Sequence, residues 1–245
     1  MKPFDPPSWL AHGFMASLVC ACAAHPAGEP AGQSASPSRR AGIDLGADLR
    51  FRIDAFSVPA ASRPALEHEL QASFASLAHE PGFRGHLVFE KTSGPTSLEL
   101  VTISAWDTVA TIPALPHGAA SSGVYRVLPP AASLVLDPSR ADVARIDLFS
   151  VPASSRGELD AAMHRNADFL ATLPGYRGHV ALEMTSGDTT FNLVTVAVWD
   201  SADAMRSAGE KVREEYQRIG FDMQGAIARW GVTASIGGYR ASPAM

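Results

Sequence analysis

The sequence predicts an α+β fold built from two tandem units, each with the order strand, helix, strand, strand, helix, strand. The first observation is an internal repeat, because residues 145–200 match residues 52–107 at a constant offset of 93 positions and without a gap. About half of the paired residues are identical, which indicates a duplicated structural unit. The second observation is that the hydrophobic spacing alternates between the strand and helix periods within each copy. A chain of 245 residues is long enough for two such units.

The first half of the second unit shows a strand followed by a helix. The strand is predicted over 145–151 and ends at Pro152. Ser155 and Glu158 have the spacing of a capping box, which is typical of a helix N-terminus. An apolar stripe at helical spacing then continues to Pro174, where the helix is expected to end.

The second half of this unit begins with a predicted hairpin, whose strands cover 178–184 and 191–199. Ser201 is expected to cap a second helix that reaches Ile219. A short helical turn is predicted after it, at 221–228, and an apolar strand at 230–239 closes the unit. This order of elements is the ferredoxin-like, or split βαβ, arrangement.

The first unit repeats this pattern up to Asp107 and then diverges. Pro113 and Pro116 fall inside the expected second helix, and proline removes a helical hydrogen bond and clashes with the preceding turn. We therefore expect a shortened second helix, followed by a final strand over 133–137.

Composition excludes several classes of function. The formal net charge is −5 and there is no run of Lys or Arg, so we do not expect nucleic acid as a partner. The two cysteines, Cys20 and Cys22, precede both repeats, so neither repeat can contain a disulfide or a thiolate metal site. The sequence contains no apolar segment that approaches the roughly 20 residues of a membrane-spanning helix.

The N-terminal part of the chain is interpreted separately from the repeats. Residues 1–24 contain an apolar run and resemble a secretory signal, or a lipoprotein signal with Cys22 as the lipidated residue. A disordered extension or a misassigned start is the alternative, so cytoplasmic and exported or lipid-anchored locations both stay open. Residues 25–47 have the composition of a disordered linker. The two domains are then expected at 48–140 and 141–245.

Period-two alternation divides every strand into two faces. We assign one face, which includes Leu87, Val101, Val180 and Val194, to the helices. The opposite face combines polar and aromatic residues in both copies. It carries these candidates: His86, Glu90, Thr102, Trp106, Arg145, Asp147, Phe149, His179, Glu183, Thr195 and Trp199. Because a solvent-facing sheet seldom carries such large aromatic residues, we expect the two sheets to pack through this face around a cavity.

The motif FSVP, followed by PG[FY]RGH and a strand ending in WD, occurs in both copies and resembles the antibiotic biosynthesis monooxygenase superfamily. The similarity covers residues 52–107 and 145 to about 240. It implies ferredoxin-like units that pair as a dimeric α+β barrel, which this chain would form from its own two halves. The protein would then be a monomeric pseudo-dimer or a homodimer of it.

The resemblance also implies a function. Members oxidise activated aromatic substrates without a metal or a flavin, or cleave haem, so it implies a cofactor-independent monooxygenase that uses O₂ and a small polyketide-like or quinol-like aromatic substrate. Trp106 and Trp199 match family site positions directly. Thr102 and Thr195 depart from the pattern, because the quinone-forming branch has Asn there.

These considerations assign provisional roles. His179 is expected to be the catalytic base, Glu183 its orienting carboxylate and Trp199 a stacking surface, while the first copy is inactive near its shortened helix. The remaining candidates are expected to bind substrate: His86, Glu90, Thr102, Trp106, Arg145, Asp147, Phe149 and Thr195. The alternatives stay open: each polar group simply satisfies its own hydrogen bonds, or the barrel binds a small molecule or haem without chemistry. No metal site is predicted.

Overall fold

The computed structural model describes residues 43–107, 112–115, 118–129, 134–137, 140 and 143–242. The first unit contains β1 (Ile43–Asp44), β2 (Leu49–Phe56), α1 (Arg63–Leu77), β3 (Phe83–Ser93), β4 (Leu100–Asp107), β5 (Ser121–Val127) and β6 (Val135–Leu136). The second contains β7 (Val143–Ser150), α2 (Arg156–Leu170), β8 (Tyr176–Asp188), β9 (Leu193–Trp199), α3 (Ala202–Arg218), α4 (Met223–Trp230) and β10 (Thr233–Ala241). The predicted leader at 1–24 and most of the linker lie outside the described residues.

Eight strands close into a single barrel in the order β10-β3-β4-β2-β5-β8-β9-β7, and β7 pairs with β10 to complete the ring. The last strand of each unit joins the two units, because β5 pairs with β2 of its own unit and with β8, and β10 pairs with β7 of its own unit and with β3. The predicted fold, two tandem ferredoxin-like units that form an intramolecular α+β barrel, is therefore confirmed.

The prediction of the final strand of the first unit at 133–137 is wrong. This strand lies at 121–127, while Val135 and Leu136 pair with β1 in a separate two-stranded sheet. The residues of β5 that are buried are Ser121, Gly123, Tyr125 and Val127, and this set gives only a weak hydrophobic alternation. The stretch around Leu134 is more apolar, and its pattern therefore resembles a strand more closely than that of β5.

The faces of the strands are also the reverse of the prediction. The barrel interior is packed with buried, mostly apolar side chains of both units: Phe51, Ile53, Ala55, Leu87, Phe89, Val101, Ile103, Ala105, Tyr125, Ala144, Ile146, Leu148, Val180, Leu182, Val194, Val196, Val198 and Tyr239. The polar and aromatic face lies under the helices, as shown by the contact of Val88 and Trp106 with Leu70 and Phe74 of α1. A closed barrel excludes water from its interior and so takes the uniformly apolar face. The predicted cavity between the two sheets is wrong.

Two buried tyrosines occupy equivalent places in the barrel. Tyr125 donates a hydrogen bond of 2.8 Å to the carbonyl of Phe191, and Tyr239 donates one of 3.1 Å to the carbonyl of Leu98. Each ring lies over a glycine two residues earlier in the chain, and the Gly-x-Tyr pattern is thus a feature of both final strands.

We expect Gly237→Ala to destabilise the protein by about 1 to 3 kcal/mol, the usual cost of overpacking a core. A Cβ atom at this position would lie 2.6 Å from Cε2 of Tyr239 and 2.8 Å from Cγ2 of Thr96. Urea denaturation measures the effect. Gly157→Ala is the control, because a Cβ at Gly157 meets nothing within 4 Å and alanine favours the helix. Equal stability of the two variants would contradict this packing.

The helix starts of the second unit differ from one another. Ser201 caps α3 as predicted, since its Oγ accepts a hydrogen bond of 3.1 Å from the backbone N–H of Ala204. Ser155 makes no such bond, because a short 3₁₀ turn leads directly into α2. Glu158, the other half of the predicted capping box, instead accepts a hydrogen bond of 2.8 Å from Trp230 Nε1 of α4. The prediction of a capping box is therefore wrong. Glu158 instead connects α2 to α4 through this hydrogen bond.

Candidate functional site

The predicted carboxylates are structural partners of arginines at the helix starts. Glu90 pairs with Arg63 at 2.6 Å, and its counterpart Glu183 pairs with Arg156 at 3.3 Å. Glu183 also pairs with Arg126 of β5 at 2.6 Å. These pairs join α1 and α2 to the strands that they cover. Because Glu183 binds two arginines, it does not orient His179 as predicted.

The ring of His179 is held by a tyrosine. Tyr176 Oη and His179 Nδ1 are 2.6 Å apart, and the edge of the Tyr176 ring meets Trp199 at a centroid distance of 5.1 Å. Burial lowers the pKa of His179 below its ordinary 6.5, the nearby His164 lowers it further, and Asp168 opposes both. Burial also raises the pKa of Tyr176 to about 12. A neutral imidazole is thus fixed beside a neutral phenol.

The corresponding histidine of the first unit, His86, stacks on an aromatic ring. His86 stacks on Phe74 of α1 with a centroid distance of 3.7 Å and an interplanar angle of 9°. Phe83 replaces the tyrosine, and its ring meets Trp106, whose Nε1 donates a hydrogen bond of 2.9 Å to Ser104 Oγ. The space between helix and sheet in this unit is filled by aromatic packing.

Comparison of the two repeats shows that the second unit has smaller side chains at three facing positions. Ala167, Ala181 and Ala197 replace Phe74, Val88 and Ser104, respectively. All three alanines are partly exposed, whereas the three larger residues of the first unit are buried. The second unit therefore has less side-chain volume between α2 and the sheet at these three positions, and we call this region the α2 cleft.

Polar groups of the second unit line the α2 cleft. Thr195 and Arg145 lie on the same face of the sheet as His179, and both are partly exposed. Asn166 lies on the sheet-facing side of α2, and its Oδ1 is buried without a hydrogen-bond partner among the described residues. Tyr216 of α3 lies close enough to Arg145 for the guanidinium to lower the pKa of the phenol, although burial raises it more strongly.

Arg145 forms an ion pair with Asp147, whose carboxylate is buried. Arg145 Nε donates hydrogen bonds of 2.8 and 3.1 Å to the two oxygens of this carboxylate. Burial raises the pKa of Asp147, while Arg145 and the backbone N–H of Gly237 lower it. The pair repeats that of Arg52 and Asp54 in the first unit.

The remaining predicted residues are mostly packing elements. Trp199 is 2% exposed and Trp106 is fully buried, so neither offers an open stacking surface. Phe149 packs in a hydrophobic cluster with Leu193 and Trp230, away from His179. Thr102 is buried in the first unit, unlike its partly exposed counterpart in the second.

Two other grooves on the surface have fewer candidate functional groups. One, of about 410 Å³, lies beside the start of α3 and contains Asp200 and Lys211. The other, of about 400 Å³, lies near β1 and contains Arg84 and Asp107. Neither set of lining residues includes a histidine that could act as a base, so these grooves are weaker candidates for base catalysis than the α2 cleft.

Within the described parts of the chain, no three His, Cys, Asp or Glu residues are grouped so that they could hold a metal ion. Nor does any helix in those parts combine the length and apolar character needed to cross a membrane.

We expect His179 to make the stability of the protein depend on pH. The unfolded chain takes up a proton near pH 6.5, whereas the folded protein disfavours the charged ring, so the free energy of unfolding should fall as pH drops below 6.5. Urea denaturation on both sides of this pH measures the effect. The dependence should be weaker in His179→Gln, and an identical dependence in the two proteins would contradict the burial of a neutral imidazole.

One known structure has the same overall fold as this chain. An anthrone oxidase-like protein matches over 82% of this chain and 94% of its own, with a TM-score of 0.59 and 17% sequence identity. SnoaB, a cofactor-independent oxygenase from Streptomyces nogalater, matches 42% of this chain and 94% of its own, with a TM-score of 0.32 and 26% identity. No protein-family model matches the sequence, and no curated protein is significantly similar to it.

The class of protein follows from the barrel and its first structural match. The chain is an α+β barrel protein built from two ferredoxin-like units. More particularly, it has the fold of the anthrone oxidase-like protein, formed here from two tandem repeats of one chain, which agrees with the fold that the sequence motifs implied.

Proposed function

We propose that the protein is a cofactor-independent monooxygenase whose substrate, a small planar aromatic molecule, binds in the α2 cleft. The observation that carries the proposal is the difference between the two copies at one place. The second unit has partly exposed alanines near His179, including Ala167, whereas in the first unit Phe74 stacks on the equivalent histidine. The first unit is then a structural copy.

His179 is the base in this proposal. When Nδ1 carries the proton, it donates to Tyr176 Oη, and Nε2 presents a lone pair to the substrate. A lowered pKa keeps the ring neutral at and below neutral pH, as a base requires. Tyr176 takes the orienting role that the sequence had suggested for Glu183.

The reaction needs an activated aromatic CH₂ group or phenol. His179 takes its proton, and the resulting electron-rich anion transfers electrons to O₂ and forms a C–O bond, which gives a peroxide. The protonated His179 returns its proton to the terminal peroxide oxygen. For a CH₂ group, loss of water then leaves a carbonyl, so one oxygen atom enters the product and the other leaves as water. The protein contributes orientation, and Trp199, which the ring of Tyr176 contacts, is buried beneath the site. Asn166 Oδ1 accepts a hydrogen bond from a substrate hydroxyl group.

Oxygen uptake with a panel of anthrones and quinols tests this function. We expect at least one compound to consume O₂ well above its uncatalysed rate. Uncatalysed rates for the whole panel would contradict the proposal. A small molecule that is retained through purification and recovered unchanged after exposure to O₂ would indicate a binding protein with the same cleft.

A further inference from the structure

One row of side chains crosses the floor of the α2 cleft. His179 of β8 is paired with Ala197 of β9, which is paired with Arg145 of β7. Neighbouring strands lie about 4.8 Å apart, so His179 and Arg145 are separated by about 10 Å. Ala197, the small residue between them, leaves space for a flat molecule with one end at each of these two side chains.

Arg145 is bonded less fully than its counterpart in the first unit. Arg52 uses Nε and Nη2 to hold Asp54, and Nη2 also donates a hydrogen bond of 2.6 Å to Ser122 Oγ. In the second unit the hydrogen bonds that Arg145 donates to its paired carboxylate start from Nε alone among the described contacts.

The final strands explain this difference. Ser122 lies opposite Asp54, and Ile236 lies opposite Asp147 at the equivalent place, so the hydroxyl acceptor is lost in the second unit. The side chain of Arg145 is 36% exposed, compared with 11% for Arg52. The terminal nitrogens of Arg145 are therefore the donors that the cleft offers to a ligand.

The charged side chains near Arg145, at one end of the α2 cleft, favour the binding of an anion. Arg165 of α2, which lies over the ring of Phe221, takes the place of Ala72 in the first unit. Arg165 and Arg145 both act electrostatically on Tyr216, while Asp147 is the carboxylate paired with Arg145. The groups that face the opposite end, around His179, are Tyr176, His164 and Asp168.

We propose that Arg145 is the specificity-determining residue of the α2 cleft and selects planar substrates that carry an ionised oxygen, a carboxylate or an acidic phenol, at the end opposite the reacting carbon. The inference rests on the proposed function and names its substrate class. Guanidinium recognises such oxygens through paired, charge-assisted hydrogen bonds.

The test compares the binding of two probes, an anthraquinone that bears a carboxylate and the same anthraquinone without it. We expect the wild-type protein to prefer the carboxylate probe by about tenfold or more, the usual gain from a charge-assisted hydrogen bond. In the double variant Arg145→Gln, Asp147→Asn this preference should disappear, while affinity for the neutral probe stays the same. Removing both charges avoids a buried carboxylate without a partner.

The matched control is Arg52→Gln with Asp54→Asn in the first unit, which should keep the preference. Circular dichroism and the urea midpoint report on folding of both variants. Equal affinity of the wild type for the two probes overturns the inference even if O₂ uptake is observed. A preference that depends on Arg145, without O₂ uptake on any acidic substrate, supports the inference and contradicts catalysis. Failure of both probes to bind overturns both proposals.

Discussion

Replacing His179 by glutamine is expected to lower kcat for O₂ uptake by about a hundredfold to ten-thousandfold, the range for loss of a general base. KM should change little, because glutamine preserves the size and polarity of the side chain. The expectation follows from the neutral imidazole that Tyr176 orients at the edge of the α2 cleft. Initial rates measured with an oxygen electrode, using the best substrate of the panel, provide the values.

The control for this variant is His86→Gln, the same change at the equivalent position of the first unit. Because His86 stacks on Phe74, we expect its replacement to leave kcat unchanged and to affect stability alone. Unchanged turnover in His179→Gln, or an equal loss in both variants, would contradict the role of His179.

The second large effect is expected from Ala167→Phe, which recreates in the second unit the aromatic lid of the first. The new ring should stack over His179 as Phe74 stacks over His86, and fill the α2 cleft. We expect the affinity for the anthraquinone probes to fall at least tenfold, because the ring takes the volume of a bound molecule. Isothermal titration calorimetry measures this loss.

Ala161→Phe is the matched control, because Ala161 lies on the exposed face of the same helix. It should bind both probes like the wild type. Stability of Ala167→Phe should be retained, since the Phe–His pair already occurs in the homologous unit. Normal probe affinity in a folded Ala167→Phe protein would place the ligand elsewhere.

The duplicated fold could be predicted from the sequence because the evidence for it is periodic and occurs twice. The prolines, the capping Ser201 and the hairpin patterns predict the bounds of most elements close to those observed. Strand β5 was misplaced because glycine, serine and tyrosine at its inward positions do not give a clear hydrophobic alternation. Short strands completed by another unit depend on tertiary pairing rather than on their own pattern.

The faces of the sheet were assigned the wrong way round for a physical reason. Both faces of each strand are buried, one inside the barrel and the other under helices, so alternation alone does not tell them apart. The distinguishing feature is that polar groups such as Asp54 and Asp147 need partners, and they find them at the helix side, where arginines of the same strands lie.

The position of the candidate site could have been predicted from the sequence. Aligning the repeats residue by residue gives Ala167 opposite Phe74 and Tyr176 opposite Phe83, two differences that mark the second unit as open and polar. The role suggested for Glu183 could not have been corrected in this way. Its arginine partners come from α2 and from β5 of the other unit, and only the fold brings them together.

The most direct test of the account is a crystal structure of the protein with the carboxylate-bearing anthraquinone. We expect the ring system between Ala167 of α2 and the sheet, with its carboxylate at Arg145 and its far edge toward His179. Density for the ligand inside the barrel, in the first unit or in the groove beside β1 would contradict the central claim that the second unit alone holds the site.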